Sequence, residues 1–195
     1  MAKGKLIVLE GIDGSGKSAQ YRRLCARFDE AGMAYHHIVF PRYDQESSAL
    51  IRMYLNGAFG THPSDVNAYA ASTFFAVDRY ASYRTDWGEI YENGGLILPD
   101  RYTTSNAIHQ GSKLPEAELP AFFDWLYDLE YGKMGLPRPD LVLYLDMPTE
   151  ITEQMMRSRE AATGTHADIH EQDETYLKNC RAGAQEIVRD CGWTV

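Results

Sequence analysis

The sequence predicts an α/β fold in which a central parallel sheet lies between layers of helices. Four short runs are apolar at consecutive positions, the pattern of strands covered on both faces. Longer segments with helical spacing separate all four. At 195 residues, with 44% hydrophobic and 24% charged residues, the chain has the length and composition of one folded unit, so residues 1–195 are read as a single domain.

Leu6–Leu9 is the first expected strand, and a helix from about Lys17 to Ala31 follows it, ended by Gly32. His37–Phe40 reads as the second strand. Helices are then expected over Ser47–Leu55 and Asp65–Tyr91, where the Gly94-Gly95 pair stops the pattern before a third strand at Leu96–Leu98. A helix over Pro115–Tyr131 and the Pro137-Arg138-Pro139 punctuation lead to the fourth strand, Leu141–Leu145. Two last helices, Thr149–Glu160 and His170–Arg189, enclose a small, polar stretch with the composition of a mobile flap. Gly192–Val195 reads as the opening of one more strand.

Nineteen Lys and Arg against 28 Asp and Glu give a net charge of −9, which opposes broad contact with nucleic acid or an anionic membrane. Cys25, Cys180 and Cys191 are odd in number and lack metal-ligand spacing, which fits a reducing, cytoplasmic compartment. The apolar run before Glu10 is too short for a signal segment, and no stretch reaches the roughly 18 apolar residues of a membrane span. A soluble, unexported protein is expected.

Gly11-Ile12-Asp13-Gly14-Ser15-Gly16-Lys17-Ser18 fits G-x-x-x-x-G-K-[ST] between an expected strand and an expected helix, the context this phosphate-binding loop requires. Its glycines let backbone N–H groups converge on phosphate oxygens, Lys17 reaches the β and γ phosphates, and Ser18 can ligate Mg²⁺. Nucleoside-triphosphate binding is the consequence. No N-K-x-D tetrapeptide is present, so the base-reading element of a GTPase switch is missing.

A kinase needs a second site beside the loop, built from neighbouring strand ends. Two such ends carry arginines: Phe40-Pro41-Arg42-Tyr43 and Asp100-Arg101-Tyr102. A guanidinium fork suits phosphate oxygens, although either arginine could instead pair with a nearby carboxylate. Phe75 and Arg79 are four residues apart and share a helix face, an arrangement that can stack on a nucleobase and bond its edge. From spacing alone, Phe74-Phe75 reads more readily as core.

Taken with Thr103-Thr104-Ser105-Asn106 and Gly135-Leu136-Pro137-Arg138-Pro139-Asp140, these segments resemble the thymidylate kinase family from about Leu6 to Tyr176. The resemblance implies a P-loop NTPase three-layer fold with a small LID flap at about 157–170, and transfer of the γ-phosphoryl group of ATP to dTMP with Mg²⁺. Asp13 would then approach the acceptor sugar and the metal, Lys17 bridge the donor phosphates, and Arg101 hold the acceptor phosphate with help from Arg42. Phe40 and Tyr43 would line the acceptor pocket, Phe75 stack on thymine, Arg79 bond its carbonyl edge, and Ser105 and Asn106 complete the base contacts. With Gly14 and Ser15 inside the loop, the cation at the γ-phosphate is expected from Arg157 or Arg159 on the flap side. His109 stands where relatives often carry a larger ring against the sugar. Asp168, Glu171 and Asp173 resemble residues that contact metal or flap. A homodimer is implied too. A kinase for another nucleotide or deoxynucleoside acceptor, or a nucleotide-binding module weakened in catalysis, are the competing readings.

Overall fold

Alternation along three of the four strands explains how the sheet is covered on both faces, whereas the edge strand His36–Val39 buries Ile38 and leaves Val39 exposed. In β1 (Lys5–Glu10), Leu6 and Val8 face one core with Trp87, Tyr91 and Tyr102, while Ile7 and Leu9 face another with Tyr21 and Phe28. Ile97 and Leu98 divide in the same way in β3 (Leu96–Asp100), as do Val142 and Leu143 in β4 (Leu141–Tyr144). With β2 (His36–Val39) the sheet is fully parallel in the order β2-β3-β1-β4. Leu6 and Val8 are completely buried, so truncating Leu6 to Ala costs about 2–5 kcal/mol. The computed structural model describes residues 2–163, 168–171 and 173–195.

The layer behind Leu9 is α1 (Lys17–Glu30). Its Tyr21 hydroxyl donates to Leu98 O at 2.5 Å and accepts from Ile38 N at 3.2 Å, which fixes the helix across β2 and β3. The other layer holds α2 (Ala49–Leu55), α3 (Ala68–Ser82), α4 (Gly88–Glu92), α5 (Thr103–Gly111), α6 (Leu119–Tyr127) and α8 (Glu174–Cys191). α8 packs Tyr176, Leu177, Cys180, Ala184, Ile187 and Val188 inward at helical spacing, chiefly against α5. α7 (Thr149–Thr163) lies beside the loop after β1.

In place of the single helix expected over Asp65–Tyr91, the structure has three pieces. Asn67 caps α3 by accepting from Ala70 N, and Asp65 instead closes a short 3₁₀ turn by accepting from His62 N. Tyr83–Trp87 forms a π turn before α4. A second π turn, Asp128–Lys133, extends α6. α5 has no counterpart among the expected helices. The segment after Gly192 does pair as expected: Thr194 bridges Leu143 in parallel.

β1 lies between β3 and β4 while the chain leaves it for β2, so the order reverses at β1. A crevice therefore opens at the carboxyl ends of β1 and β3. No helix among the described residues is long and apolar enough to cross a membrane.

Candidate active site

Two clefts meet at that crevice. The first follows the loop between β1 and α1 and is lined by Ile12 to Ala19, with Met155 and Met156 of α7 opposite. Gly14 and Gly16 have φ of 75° and 78°, the left-handed region that glycine enters freely. A Cβ on Gly14 would lie 2.6 Å from Thr152 O, so α7 sits directly against the loop. Lys17 is buried and its Nζ is 2.9 Å from Asp100 Oδ1 at the end of β3.

The second cleft lies beyond β2 and β3. Phe40, Pro41 and Tyr43 form one wall, Phe75 and Arg79 of α3 another, and Ser105, Asn106 and His109 of α5 a third. Asp13 and Arg101 stand at its mouth toward the loop. Leu55, Gln110, Asp168 and His170 complete it. Asp13 lines both clefts.

Arg101 organises this junction. Its Nη2 donates to Asp13 Oδ1 at 2.5 Å, and its Nη1 to Gly11 O at 3.2 Å, Ser105 Oγ at 3.3 Å and His109 Nε2 at 3.1 Å. Because a guanidinium only donates, His109 Nε2 must be the unprotonated ring nitrogen. Burial opposes the charge of Asp13, yet Arg101 and Lys17 outweigh it and hold the carboxyl far below its usual range. Burial, then the neighbouring Arg101, pushes His109 down to about 4. Burial and the Asp13 charge push Asp168 up to about 6.

Ser105 and Asn106 line the pocket but are also engaged by the protein. Ser105 Oγ lies 2.9 and 2.8 Å from the two oxygens of Glu10, and Asn106 Nδ2 donates to Ser72 O at 3.1 Å. Arg79 is almost wholly enclosed, with its guanidinium on Glu130. Arg42 is not among the residues that line this cleft, and its Nη1 is 3.8 Å from Asp86 Oδ2. Arg157 is exposed on α7, outside both linings. The side chain of Arg159, and residues 164–167 of the expected flap, lie outside the described residues.

The family model described as thymidylate kinase matches residues 9–195. The chain belongs to the thymidylate kinase family. The thymidylate kinase of Mycobacterium tuberculosis is 32% identical over 190 residues, which cover 96% of this chain and 87% of that protein. A probable thymidylate kinase of Pyrococcus abyssi is 30% identical over 157 residues, 80% of this chain and 72% of that protein. In fold, the chain resembles the solved thymidylate kinase of Candida albicans at a TM-score of 0.70 and 24% identity, over 97% of this chain and 81% of that one. As a thymidylate kinase family member, the protein is an ATP-dependent nucleoside monophosphate kinase.

Several residues of this site carry no motif that singles them out in the sequence. Glu10 is fully buried and accepts from Gly11 N, Thr104 Oγ1 and Ser105 Oγ, so it braces the residues around Arg101. A carboxylate ending an apolar strand directly before the loop is its one available signal. Asp78 accepts from Arg42 N at 2.9 Å and Ser47 Oγ at 2.6 Å, which ties the β2 loop to α3. His170 accepts or donates at Nε2 with Tyr54 Oη, 2.8 Å away, and its ring lies parallel to His109. Asp78 is marked only by its place in the Phe75-Ala76-Val77-Asp78-Arg79 segment, and nothing local marks His170.

Proposed function

We propose that this chain transfers the γ-phosphoryl group of ATP to dTMP, giving dTDP and ADP for deoxynucleotide synthesis. The observation that carries this reading is the shared position of Asp13, which lines both the phosphate-loop cleft and the pocket walled by Phe75 and Arg79. ATP occupies the first cleft, with its phosphates on the Gly11–Ser18 backbone and Lys17. dTMP occupies the second, with its phosphate on Arg101, its base on Phe75, and Arg79 and Asn106 at the base edge. Phe40, Tyr43, Ser105 and His109 enclose it.

The acceptor is an ionised phosphate, so no general base is required. Catalysis comes from alignment and from neutralising charge on the transferred group. Mg²⁺ fits this donor set: the Ser18 hydroxyl is a hard oxygen at the start of α1 and lines the same cleft as Asp13. Such a site suits an ion held largely by nucleotide phosphates and water, and when bound it supplies charge neutralisation. Arg157 and Arg159, on the helix against Gly14, are the proposed flap-side cations. Arg42, whose side chain stands 3.8 Å from Asp86, is proposed to help Arg101 near the phosphates.

Three further assignments belong to this proposal. The whole chain acts as one domain with a LID at about 157–170. Leu50, Met53, Val77 and Tyr80 expose apolar surface on the neighbouring helices α2 and α3, which supports a homodimer. Three cysteines, odd in number and without C-x-x-C spacing, support a reducing, cytoplasmic location. The deciding experiment is ADP release with Mg²⁺ and ATP against dTMP, UMP, dUMP, CMP and thymidine. Selective turnover of dTMP is expected, and preference for another acceptor overturns the substrate assignment.

A further inference from the structure

We infer that Glu130 is the positioning residue for base recognition, setting the guanidinium of Arg79 so that its remaining donors face the acceptor base. The inference rests on the proposed dTMP reading and adds a residue that does not itself line the pocket.

Glu130 lies in the π turn Asp128–Lys133 and is completely buried. It accepts from Arg79 Nε and Nη2 at 2.6 Å each, a two-pronged contact that fixes the plane as well as the position of the guanidinium. A third bond comes from Thr103 Oγ1 at 2.7 Å, from the first residue of α5. One carboxylate therefore joins α3 to the start of the helix that bears Asn106. Burial disfavours the Arg79 charge, but Glu130 outweighs it and holds the pKa above its ordinary value.

The geometry divides the donors of Arg79. Nε and one hydrogen of Nη2 are committed to Glu130, and Nη1 makes a long 3.4 Å contact with Tyr102 O. The donors left on Nη1 and Nη2 are those a base carbonyl in the pocket can accept from. Without Glu130 the fork could rotate about its long stem, and the direction of these donors would be lost. Glu130 lies within a π turn, where one extra residue rotates the side chains that follow by about 100° relative to an α-helix, and such turns recur at functional sites.

The test compares kcat/KM for dTMP with that for dCMP, in which an amino group replaces the base carbonyl at the same ring position, in the full-length chain. Glu130→Gln keeps the volume and one acceptor. It is expected to reduce the dTMP preference by about tenfold or more, mostly through KM for dTMP, with KM for ATP unchanged. Glu130→Asp keeps the charge but retracts it, and is expected to fall between. It is the informative variant if Glu130→Gln does not fold. Arg79→Gln is measured in parallel. Loss of preference in Arg79→Gln but not in either Glu130 variant overturns the positioning role alone. An unchanged preference in Arg79→Gln overturns the base contact as well. A lower kcat on both acceptors with the ratio preserved marks Glu130 as merely structural and also overturns the inference.

Discussion

Arg101 holds a left-handed backbone with φ of 69°, a conformation that costs a non-glycine residue about 1–2 kcal/mol. The cost is offset by its backbone N–H on Leu9 O at 3.0 Å and by Asp13, Ser105 and His109 around its guanidinium. That pose sends the side chain back over β1 to the junction of the two clefts. Arg101→Ala should therefore lower kcat with dTMP by about three orders of magnitude or more while the Kd for ATP changes less than about threefold, by analogy with lost transition-state charge stabilisation. Equal loss of ATP binding, measured by titration calorimetry, would contradict its placement on the acceptor side. Asp78 acts at the same scale but one step removed. Asp78→Asn keeps one acceptor for Arg42 N or Ser47 Oγ, not both, and should loosen the Phe40 to Tyr43 wall. KM for dTMP should rise about threefold to tenfold with kcat nearly constant. A fall in kcat with KM unchanged would place Asp78 elsewhere in the cycle.

At the level of elements, the phosphate loop and α7 behave as one unit because Gly14 leaves no room between them. Gly14→Ala brings a Cβ against Thr152 O and Met156, at φ of 75°, so both the loop and the helix must give. The expected outcome is a loss of about 1–3 kcal/mol in stability and a raised KM for ATP, read by denaturant melts and initial rates. Normal KM for ATP would show that α7 can move away without disturbing the loop. This contact is beyond sequence reading, although the loop itself is plain in it, since eight adjacent residues carry the motif. The strands are legible too, because Leu6 through Leu9 must satisfy two cores at once. α5 is not: all nine of its residues, Thr103–Gly111, are buried, including Asn106, His109 and Gln110, so no apolar stripe marks a helix. Its polar groups are matched by distant partners such as Glu10 and Ser72. The two π turns escape for a related reason: α3 with α4, and α6 with its extension, each read as one continuous helical pattern. Glu130, inside the second of these turns, meets Arg79 across 51 positions of chain, a separation no local pattern spans.

The whole molecule couples these buried groups to pH. His109 and His170 are each buried, and His170 is likewise held well below its ordinary pKa by burial and by His109. Between pH 6.5 and about 4 the unfolded chain takes up protons at these rings that the folded protein refuses at His109, so acid destabilises the fold. The His109 contribution approaches the order of 3 kcal/mol at the acid end of that window and vanishes above pH 6.5. Asp168 works in the opposite sense. With its carboxyl raised to about 6, the folded protein binds a proton there before the unfolded chain does, which adds stability as pH falls from 6 towards 4. Two rings oppose one carboxyl, so net stability should decline on going from pH 7 to pH 5, seen as a falling urea midpoint. His109→Gln should flatten that decline, and Asp168→Asn should steepen it by removing the offset. Parallel profiles for Asp168→Asn and the parent between pH 4.5 and 6.5 would mean that Asp168 does not hold its proton against Asp13 in the folded protein.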